Sequence, residues 1–573
     1  MKSVPLGAQY RLAALGQMAE EEFDVLVVGG GVVGAGAALD AVTRGLSVAM
    51  VEARDWAAGT SSRSSKLIHG GLRYLEQRDF ALVREALRER SVLLQKIAPH
   101  LVKPVPFLLP LQHRVWERAY IGAGVMLYDT MGGSRALPRH RHLTKSAALR
   151  RAPGLNPDGL IGAIQYYDAQ VDDARYTMML ARTAAQYGAQ VATRTRVTGF
   201  LREGARVTGA VVRDLESDRE IRVKARRVIC ATGVWTDDLH ELANVHGKKI
   251  SVRASKGVHL VVPRDRIDLD TGLISRTEKS VLFIIPWGRH WIVGTTDTDW
   301  SLDRRHPAAS AADIDYLLEH ANAVLAKPLT RDDIEGVYAG LRPLLSTGDA
   351  ANLKTTQLSR EHVVSEAAPG LFVVAGGKYT TYRVMAKDAV DAATTGLGMK
   401  VPDSVTDKVA LLGAEGYAAL WNERSRLASK HGLDTARVEH LLTRYGSCVD
   451  ELFELIDADP ELGKPLGGAG DYLRVEAVYA ASHEGALHLD DILTRRTRIS
   501  VEERDRGVAA ARDAAQLVAP VLGWDAETAR AEIDRYLERV AAELDANSQA
   551  DDPAADEARL AARDLFDAIT PSA

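Results

Sequence analysis

The chain has 573 residues, 46% of them hydrophobic and 26% charged, so it can bury a sizeable core and form roughly two to four domains. Its formal net charge of -5 gives no indication of a nucleic-acid partner. The 2 cysteines exclude a disulfide framework and favour a reducing compartment. Residues 1–22 lack the apolar core of a signal peptide, and no stretch is long and apolar enough to span a bilayer.

A glycine-rich turn follows an N-terminal extension, residues 1–20, that we expect to be loose. Residues 25–28 form an apolar run typical of a buried parallel strand, and residues 47–51 predict a second strand. A helix of small residues is predicted between them, over 35–44. The turn before this helix has the spacing G-x-G-x-x-G, in Gly29, Gly31 and Gly34.

This strand–turn–helix–strand order predicts a dinucleotide site. The three glycines permit a tight turn, close approach of the backbone to a pyrophosphate, and close packing of the helix. Glu52 ends the second strand and is placed to accept hydrogen bonds from ribose hydroxyls. The motif alone does not distinguish NAD from FAD, and a glycine turn without a nucleotide is the alternative.

Later segments predict further parts of the same sheet and a second one. Residues 224–235 form a strand that ends in Ala-Thr-Gly, and residues 371–390 form a strand, a Gly-Gly turn and a helix. Residues 281–300 indicate a hairpin, and 254–263 another strand, so an antiparallel sheet is expected here, with helices over 310–326.

The last third of the chain changes character. From residue 401 the pattern becomes helical. The Ala- and Asp-rich tail from residue 547 is expected to be mobile, apart from a last helix near 560–569.

Six motifs together carry a family resemblance. They are GGGVVGAGAALDA, TSSRSSKLIHGGLRYL, KGVHLVVP, GTTDTDW, AGLRPLL and GGKYTTYR, in this order along the chain. Over about residues 23–496 the chain resembles the FAD-dependent glycerol-3-phosphate dehydrogenases. The combination of motifs is specific, although each motif alone is not.

The resemblance and the strand pattern together predict an α/β fold. We expect a discontinuous Rossmann-like FAD-binding domain of the glutathione-reductase and amino-acid-oxidase type, an antiparallel-sheet substrate domain and an all-α C-terminal domain. The predicted FAD-binding domain comprises 21–95, 170–245 and 335–397. The substrate or cap domain comprises 96–169 and 246–334, the helical domain 398–546, and the tail 547–573.

The resemblance also implies a reaction and its partners. The family oxidises sn-glycerol 3-phosphate to dihydroxyacetone phosphate and passes electrons from FAD to a membrane quinone. It implies a cytoplasmic protein held peripherally on the inner face of the cytoplasmic membrane. A homodimer is left open.

The predicted cofactor contacts combine the glycine motif with the resemblance. Ser61, Ser62, Ser64 and Ser65 are expected to contact the diphosphate and the flavin edge, with an ordinary serine-rich turn as the alternative. Val197 is expected to touch the adenine through its backbone. The whole set is Gly29, Gly31, Gly34, Glu52, Ser61, Ser62, Ser64, Lys66, Leu67, His69, Val197, Ala231, Thr232, Gly233, Gly377, Lys378 and Thr380.

A polyol phosphate is a small dianion, so its site needs cations, which arginine supplies as a bidentate fork and lysine as a point charge. Lone arginines are usually surface charges, and Arg360 has the weakest local context. Thr296 is expected to bind a glycerol hydroxyl, with a turn-forming role as the alternative. The substrate-binding candidates are Arg73, Tyr74, Thr296, Arg342, Arg360 and Lys378.

Oxidation removes a hydride from C2 and a proton from its hydroxyl. The flavin accepts the hydride, so the protein must supply a base and orientation. His259 is the predicted base because histidine titrates near neutral pH, with a structural strand histidine as the alternative. His69 is a second candidate that we expect to face the flavin. Arg342 is the other catalytic candidate, because it could lower the alcohol's pKa.

Three other functions remain open from the sequence. An oxidase that returns electrons to O2 would have nearly the same residues around the substrate. An amine or amino-acid oxidase of the same fold would need a carboxylate clamp instead of phosphate affinity. A flavin-binding redox sensor would lack turnover, which the intact motifs argue against.

Two further patterns concern metals and lipid. His483 and His488 flank a glutamate at H-E-x-x-x-H spacing, which turns the imidazoles away from one helix face, so no metal is expected. Residues 135–145 are basic and follow the apolar segment 116–128. An anionic lipid surface would attract such charges at about 1 kcal/mol each. A solvated loop is the alternative.

Overall fold

The structure of the protein is a computed structural model. It describes residues 2–76, 79–113, 116–132, 137–244, 250–277, 281–346 and 361–564, with the side chains of residues 73 and 76 left out.

The strands of the described residues belong to three sheets. They are β1 (Glu22–Val28), β2 (Val48–Val51), β3 (Leu67–Ile68), β4 (Lys103–Leu111), β5 (Arg141–Thr144), β6 (Gly162–Gln170), β7 (Gln190–Ala192), β8 (Thr195–Glu203), β9 (Arg206–Asp214), β10 (Glu220–Cys230), β11 (Ser251–Pro263), β12 (Gly272–Arg276), β13 (Val281–Trp287), β14 (His290–Gly294), β15 (Thr298–Trp300), β16 (Gly336–Ser346), β17 (His362–Ala368), β18 (Leu371–Gly376), β19 (Pro465–Leu466) and β20 (Ala469–Leu473).

The helices surround these sheets and form the C-terminal part of the chain. They are α1 (Ala8–Glu20), α2 (Val32–Thr43), α3 (Arg73–Glu76), α4 (Phe80–Val92), α5 (Glu117–Gly132), α6 (Lys145–Arg151), α7 (Asp173–Gln186), α8 (Thr236–Leu242), α9 (Ala311–Asn322), α10 (Tyr382–Thr394), α11 (Tyr417–Asn422), α12 (Arg424–Lys430), α13 (Thr435–Tyr445), α14 (Val449–Ala458), α15 (Arg474–His483), α16 (Leu489–Asp491), α17 (Ile499–Glu502), α18 (Val508–Leu522), α19 (Ala526–Ser548) and α20 (Asp552–Leu560).

The first sheet has the strand order β17-β18-β10-β1-β2-β7. Strands β18, β10, β1, β2 and β7 run parallel, and β17 is an antiparallel edge strand. Four of the seven residues of β1 form a continuous buried run, as expected for a parallel strand with helices on both faces. The carboxyl ends of β1, β10 and β18 therefore lie side by side, although long stretches of sequence separate them.

The second sheet is largely antiparallel and has the order β15-β11-β14-β13-β12-β4-β6-β3, with β16 on β11 and β5 on β6. The predicted hairpin forms β13 and β14, with Trp287 paired to His290. The long pair of β11 and β16 runs from Ser251 against Ser346 to Val261 against Gly336. This pair places β11, the strand that carries the predicted base His259, beside the carboxyl edge of the first sheet.

The predicted fold class is confirmed, and the C-terminal part is helical as expected, with one short hairpin of β19 and β20. The domain boundaries stay a prediction. Strand β2 belongs to the first sheet, whereas β3, the next strand along the chain, pairs with β6 in the second sheet. The chain therefore crosses from the first sheet to the second between β2 and β3. No helix among the described residues is long and apolar enough to cross a membrane.

The expectation of a loose N-terminal extension is wrong. Residues 8–20 form α1, which packs against β7 and β10. Its buried residues include Ala14, Leu15 and Met18, which recur at helical spacing. Arg11 is also buried, and its guanidinium pairs with Asp214. The segment therefore belongs to the core of the first sheet.

The expectation of a mobile tail is also wrong for the described part. Helix α19 continues to Ser548, and α20 packs beside it, with Asp551 accepting a hydrogen bond from the backbone N–H of Ala554 as an N-cap. Ala546 and Ala555 are buried against Ala308. Small alanine faces let these helices approach closely. The predicted helix at 560–569 is wrong for its described part, because α20 ends at Leu560 and residues 561–564 are not helical, while residues 565–569 lie outside the described residues.

The packing of α1 makes a matched pair of substitutions informative. Leu15 is 0% exposed and Leu12 is 62% exposed on the same helix. Leu15→Ala removes packed methyl groups, so we expect the free energy of unfolding to fall by about 2–5 kcal/mol. Leu12→Ala is the control and should change it by less than about 0.5 kcal/mol. Denaturant titration checks both. Equal small effects would mean that α1 does not pack as described.

Candidate active site

The glycine turn between β1 and α2 has no room for side chains. Gly29 has φ +112°, and a Cβ there would lie 2.6 Å from the carbonyl oxygen of Ala231. A Cβ on Gly34 would lie 1.9 Å from the carbonyl oxygen of Gly29. The first glycine thus permits the turn and the third lets α2 pack on it. The N-terminus of α2 is left facing the adjoining cavity, which suits an anion.

Glu52 lies at the end of β2, as predicted. Its carboxylate accepts hydrogen bonds from the backbone N–H groups of Gly30 (2.6 Å) and Arg54 (2.7 Å). Burial raises the pKa of Glu52 above its usual value. These two bonds fix the direction of the carboxylate beside the cavity.

A cavity of about 380 Å³ runs from this turn across the carboxyl ends of β1, β10 and β18 to the β11–β16 pair. Most predicted cofactor residues line it. These are Gly29, Gly31, Glu52, Ser61, Ser64, Leu67, His69, Val197, Ala231, Thr232, Gly233, Gly377, Lys378 and Thr380. Four of the substrate and catalytic candidates line the same cavity, namely Tyr74, His259, Arg342 and Lys378, the last of which is also a cofactor candidate.

Four predicted site residues do not line the cavity. Gly34 acts in helix packing, and the carbonyl of Ser62 accepts from Lys66 and Arg498. The ammonium of Lys66 instead pairs with Asp173 at 2.7 Å, and the backbone at Lys66 has φ +57°. The hydroxyl of Thr296 accepts a hydrogen bond from the backbone N–H of Val258 at 3.0 Å.

Two predicted cations cannot be assigned contacts. Arg73 begins the short helix α3 directly after the Gly-Gly pair, and only its backbone is described. Arg360 lies outside the described residues.

His259 lies on β11, buried against the aromatic ring of Tyr338, with ring centroids 4.7 Å apart and nearly parallel. Its Nε2 is 2.8 Å from the hydroxyl oxygen of Ser65. Its Nδ1 is buried and has no hydrogen-bond partner among the described residues. Burial, followed by the charges of Arg342 and Lys66, holds the pKa of His259 well below 6.5.

The expectation that His259 titrates near neutral pH is therefore wrong, because its pKa lies well below 6.5. The imidazole is neutral at pH 7, since protonation would place a cation in a buried site beside two others. A neutral imidazole can accept a proton, so the predicted role as a base stays a prediction.

The guanidinium of Arg342 is held in one orientation beside His259. It donates to the hydroxyl of Thr295 at 3.0 Å and to the carbonyl of Thr296 at 3.2 Å. A Cβ on Gly257 would lie 2.5 Å from the same guanidinium, so glycine is needed for this approach. Arginine keeps its charge in such sites.

Lys378 follows the Gly-Gly turn after β18. Its ammonium lies over the ring of Tyr74, 3.5 Å from the centroid, in a cation–π contact. A Cβ on Gly71 would lie 3.7 Å from this ammonium, so the turn before α3 reaches the same place. The structure thus brings two predicted substrate residues, Lys378 and Tyr74, together at one end of the cavity.

A buried charged cluster supports the loop at residues 61–69. The Asp173 carboxylate accepts from Lys66, from the hydroxyl of Ser64 (2.7 Å) and from the guanidinium of Arg498 (2.5 Å). Ser65, which follows Ser64 in the chain, contacts His259. Arg498 therefore links the C-terminal helices to the loop that lines the cavity.

The sequence analysis missed these supporting residues. Asp173 and Arg498 lie 325 positions apart and belong to no recognised motif. Tyr338 was missed as well, although it precedes AGLRPLL by one residue. Among the described residues, no group of three or more histidine, cysteine or carboxylate side chains could hold a metal ion.

Comparisons with known proteins match the whole architecture. Residues 24–391 match the family model described as FAD dependent oxidoreductase, and residues 404–529 match the C-terminal domain of alpha-glycerophosphate oxidase. The chain is 57% identical over 557 residues to glycerol-3-phosphate dehydrogenase 2 of Mycobacterium tuberculosis (strain ATCC 25618 / H37Rv), covering 97% of this chain and 94% of that protein.

Two further relatives extend the similarity. The chain is 37% identical over 525 residues to the mitochondrial glycerol-3-phosphate dehydrogenase of Homo sapiens, covering 88% of this chain and 71% of that protein. The glycerol-3-phosphate dehydrogenase from Bacillus halodurans, solved in complex with FAD, superposes with a TM-score of 0.77 at 30% identity, covering 93% of this chain and 98% of that chain.

The cavity fits FAD. The helix N-terminus and the glycine turn suit a diphosphate, and the Glu52 carboxylate suits ribose hydroxyls. The hydroxyl of Thr232, at the end of β10, is buried and has no hydrogen-bond partner among the described residues, so it can serve the cofactor. From the matched models, these relatives and this geometry, the chain belongs to the FAD-dependent glycerol-3-phosphate dehydrogenase family.

Proposed function

We propose that the protein oxidises sn-glycerol 3-phosphate to dihydroxyacetone phosphate and that a membrane quinone receives the electrons. The observation that carries this proposal is one continuous cavity. It joins the dinucleotide turn to a neutral His259, and the cations Arg342 and Lys378 line it. Such a site suits a small anionic alcohol, since it combines a proton acceptor with positive charge.

The two cations give the phosphate a place to bind. Arg342 presents a fixed guanidinium, and Lys378 presents an ammonium already over the ring of Tyr74. Arg73 is proposed to join them, because α3 begins next to the turn that reaches Lys378. An amino-acid substrate would instead need a clamp for its carboxylate and no preference for phosphate.

His259 is proposed to take the proton from the C2 hydroxyl. Bound FAD supplies the acceptor for the hydride that leaves C2, which gives a ketone and reduced flavin. If Nε2–H donates to Ser65, Nδ1 is the open acceptor for the substrate proton. Arg342 would then stabilise negative charge that develops on the substrate oxygen. The buried phosphate would also raise the pKa of His259 toward neutral when substrate is bound.

A surface formed by α5 and by Trp116, directly before it, supports docking to anionic lipid, which would bring the protein to a quinone. Trp116, Tyr120, Met126 and Leu127 are 54%, 51%, 58% and 40% exposed, and three of them recur at helical spacing. The basic segment lies against this helix, with the backbone N–H of His140 donating to Asp129 at 2.8 Å. Within it, the described side chains of residues 139, 141 and 145 are exposed cations. Arg135 of the predicted basic segment lies outside the described residues.

The reaction and its acceptor can be tested on one sample. Under anaerobic conditions glycerol 3-phosphate should bleach the flavin absorbance of the purified protein, because a substrate hydride reduces it. A quinone analogue should restore the absorbance faster than dissolved O2 does. Bleaching by glycine or proline but not by glycerol 3-phosphate would contradict the proposal, and faster reoxidation by O2 would favour an oxidase.

Lys378→Met should weaken substrate affinity by about tenfold or more, because one charge-assisted contact to phosphate is lost.

His259→Gln tests the proposed base. We expect the rate of anaerobic flavin reduction at saturating substrate to fall by about 100-fold or more, with substrate affinity little changed. The pH profile of kcat/KM for the wild type should keep its acidic limb well below pH 6.5, because a lowered pKa leaves the imidazole deprotonated above it. A near-normal rate in the variant at every pH would remove His259 from this role.

The exposed face of α5 predicts a lipid effect. Trp116→Ser combined with Leu127→Ser should weaken binding to vesicles that contain anionic lipid by about tenfold, because apolar area is lost from the docking face. Leu544→Ser, at a residue 49% exposed on α19, is the control and should bind as the wild type does. Vesicle co-sedimentation measures both. Equal binding of all three proteins would show that α5 does not meet the lipid.

A further inference from the structure

A second cavity, of about 220 Å³, adjoins the cofactor cavity and shares the lining residues Arg54, Ala58 and Arg63 with it. It is enclosed by this loop, the segment 305–306, and helices α16, α19 and α20. We call it the arginine cavity. It is lined by Arg54, Ala58, Arg63, Arg194, Arg305, His306, Asp490, Arg495, Glu532, Arg535, Tyr536, Arg539, Arg559, Leu560, Ala562, Arg563 and Asp564.

Most of these guanidinium groups have carboxylate partners. Arg495 pairs with Asp490 and Asp491 at 2.7 Å, and Arg539 pairs with Glu543 at 2.9 Å. In these pairs the carboxylates neutralise the guanidinium charges along the cavity walls. By themselves such pairs indicate only a structural network of ion pairs.

Two arginines of the cavity lack such a partner among the described residues. Arg559 is 5% exposed, and its nearest carboxylate, on Glu543, is 3.8 Å away, beyond hydrogen-bond distance. Arg63 has one polar contact, 3.4 Å from its guanidinium to Nδ1 of His306. Burial, followed by the nearby Arg539, lowers the pKa of Arg63 to about 9. Burial lowers the pKa of Arg559 to about 10.

These groups converge on one point. The other ring nitrogen of His306, Nε2, is 3.4 Å from the guanidinium of Arg54. The charges of Arg559, Arg54 and Arg63 all hold the pKa of His306 below its usual value, after burial itself. Buried cations gathered without an equal number of close anions are costly, and an added anion would relieve that cost.

One carboxylate of the chain already reaches this point. Asp564 pairs with Arg54, and its Oδ2 is also 3.4 Å from Nε2 of His306. A tetrahedral oxyanion could take its place and bind the guanidinium groups that Asp564 leaves without a partner. Arginine forks match phosphate oxygens in pairs. The volume of the cavity, about 220 Å³, is large enough for a phosphate group or a small phosphomonoester.

We propose that the arginine cavity is a second anion site, which binds free phosphate or a small phosphomonoester through Arg63, Arg559 and Arg54 in competition with Asp564. The substrate candidates Arg342 and Lys378 line the cofactor cavity and not the arginine cavity, whereas Arg54 and Arg63 line both and Arg559 lines the arginine cavity without lining the cofactor cavity.

Calorimetric titration of the FAD-loaded protein with inorganic phosphate, in a chloride buffer, tests this proposal. Phosphate should also bind at the substrate site. Binding at the arginine cavity is therefore the part of the heat signal that persists in Lys378→Met and is lost in Arg559→Met. Arg559→Met should weaken this binding by about tenfold or more. Arg563→Met is the control, because this guanidinium is 76% exposed and pairs with Glu538, and it should leave the binding unchanged. Parallel titration with glycerol 2-phosphate distinguishes a phosphomonoester from free phosphate.

Asp564→Asn should change phosphate affinity in the opposite direction from Arg559→Met. Loss of the competing carboxylate should tighten the Arg559-dependent binding by about threefold or more, which improper folding would not do. The proposal is overturned if the FAD-loaded protein shows no Arg559-dependent phosphate binding. It is equally overturned if only the FAD-free protein shows it, because the arginines would then serve the diphosphate of the cofactor.

Discussion

The buried carboxylate of Asp173 is the contact on which the active-site loop depends. It accepts from Lys66, Ser64 and Arg498 within a site that excludes water. A carboxylate in such a place is stable only when several donors surround it. The loop at residues 61–69 is thereby fixed between the cofactor cavity and the second sheet, and Ser65 meets His259 at hydrogen-bond distance.

This contact gives the C-terminal helices a function beyond covering the core. Arg495 and Arg496 pair with Asp55, after the end of β2, while Arg498 pairs with Asp173 at the start of α7. A single short segment thus holds two parts of the cofactor site in register. Buried ion pairs add little net stability, but they penalise every arrangement that separates the partners. The position of the loop beside the cavity is therefore set by charge.

The sequence predicted those features whose causes are local. The turn at Gly29, the strand ends at Gly233 and Gly377, and Glu52 follow from glycine spacing and strand length, and the structure places them around one cavity. The burial of α1 and the pairing of Asp173 with Arg498 depend on residues hundreds of positions away. The low pKa of His259 likewise depends on burial, and then on Arg342, which the β11–β16 pair brings beside it. Sequence motifs identify such a histidine, whereas its protonation state can be inferred only once the fold shows its burial and its charged neighbours.

We expect Arg498 to act on the chemistry through the loop that carries Ser65. A double-mutant cycle with Arg498→Met and Ser65→Ala tests it most directly, with the rate of anaerobic flavin reduction by glycerol 3-phosphate as the measurement. Arg512→Met, at an exposed position of α18, serves as the control. The account predicts that the two effects are not additive, with a coupling of at least about 0.5 kcal/mol. Strict additivity of the two substitutions would contradict it.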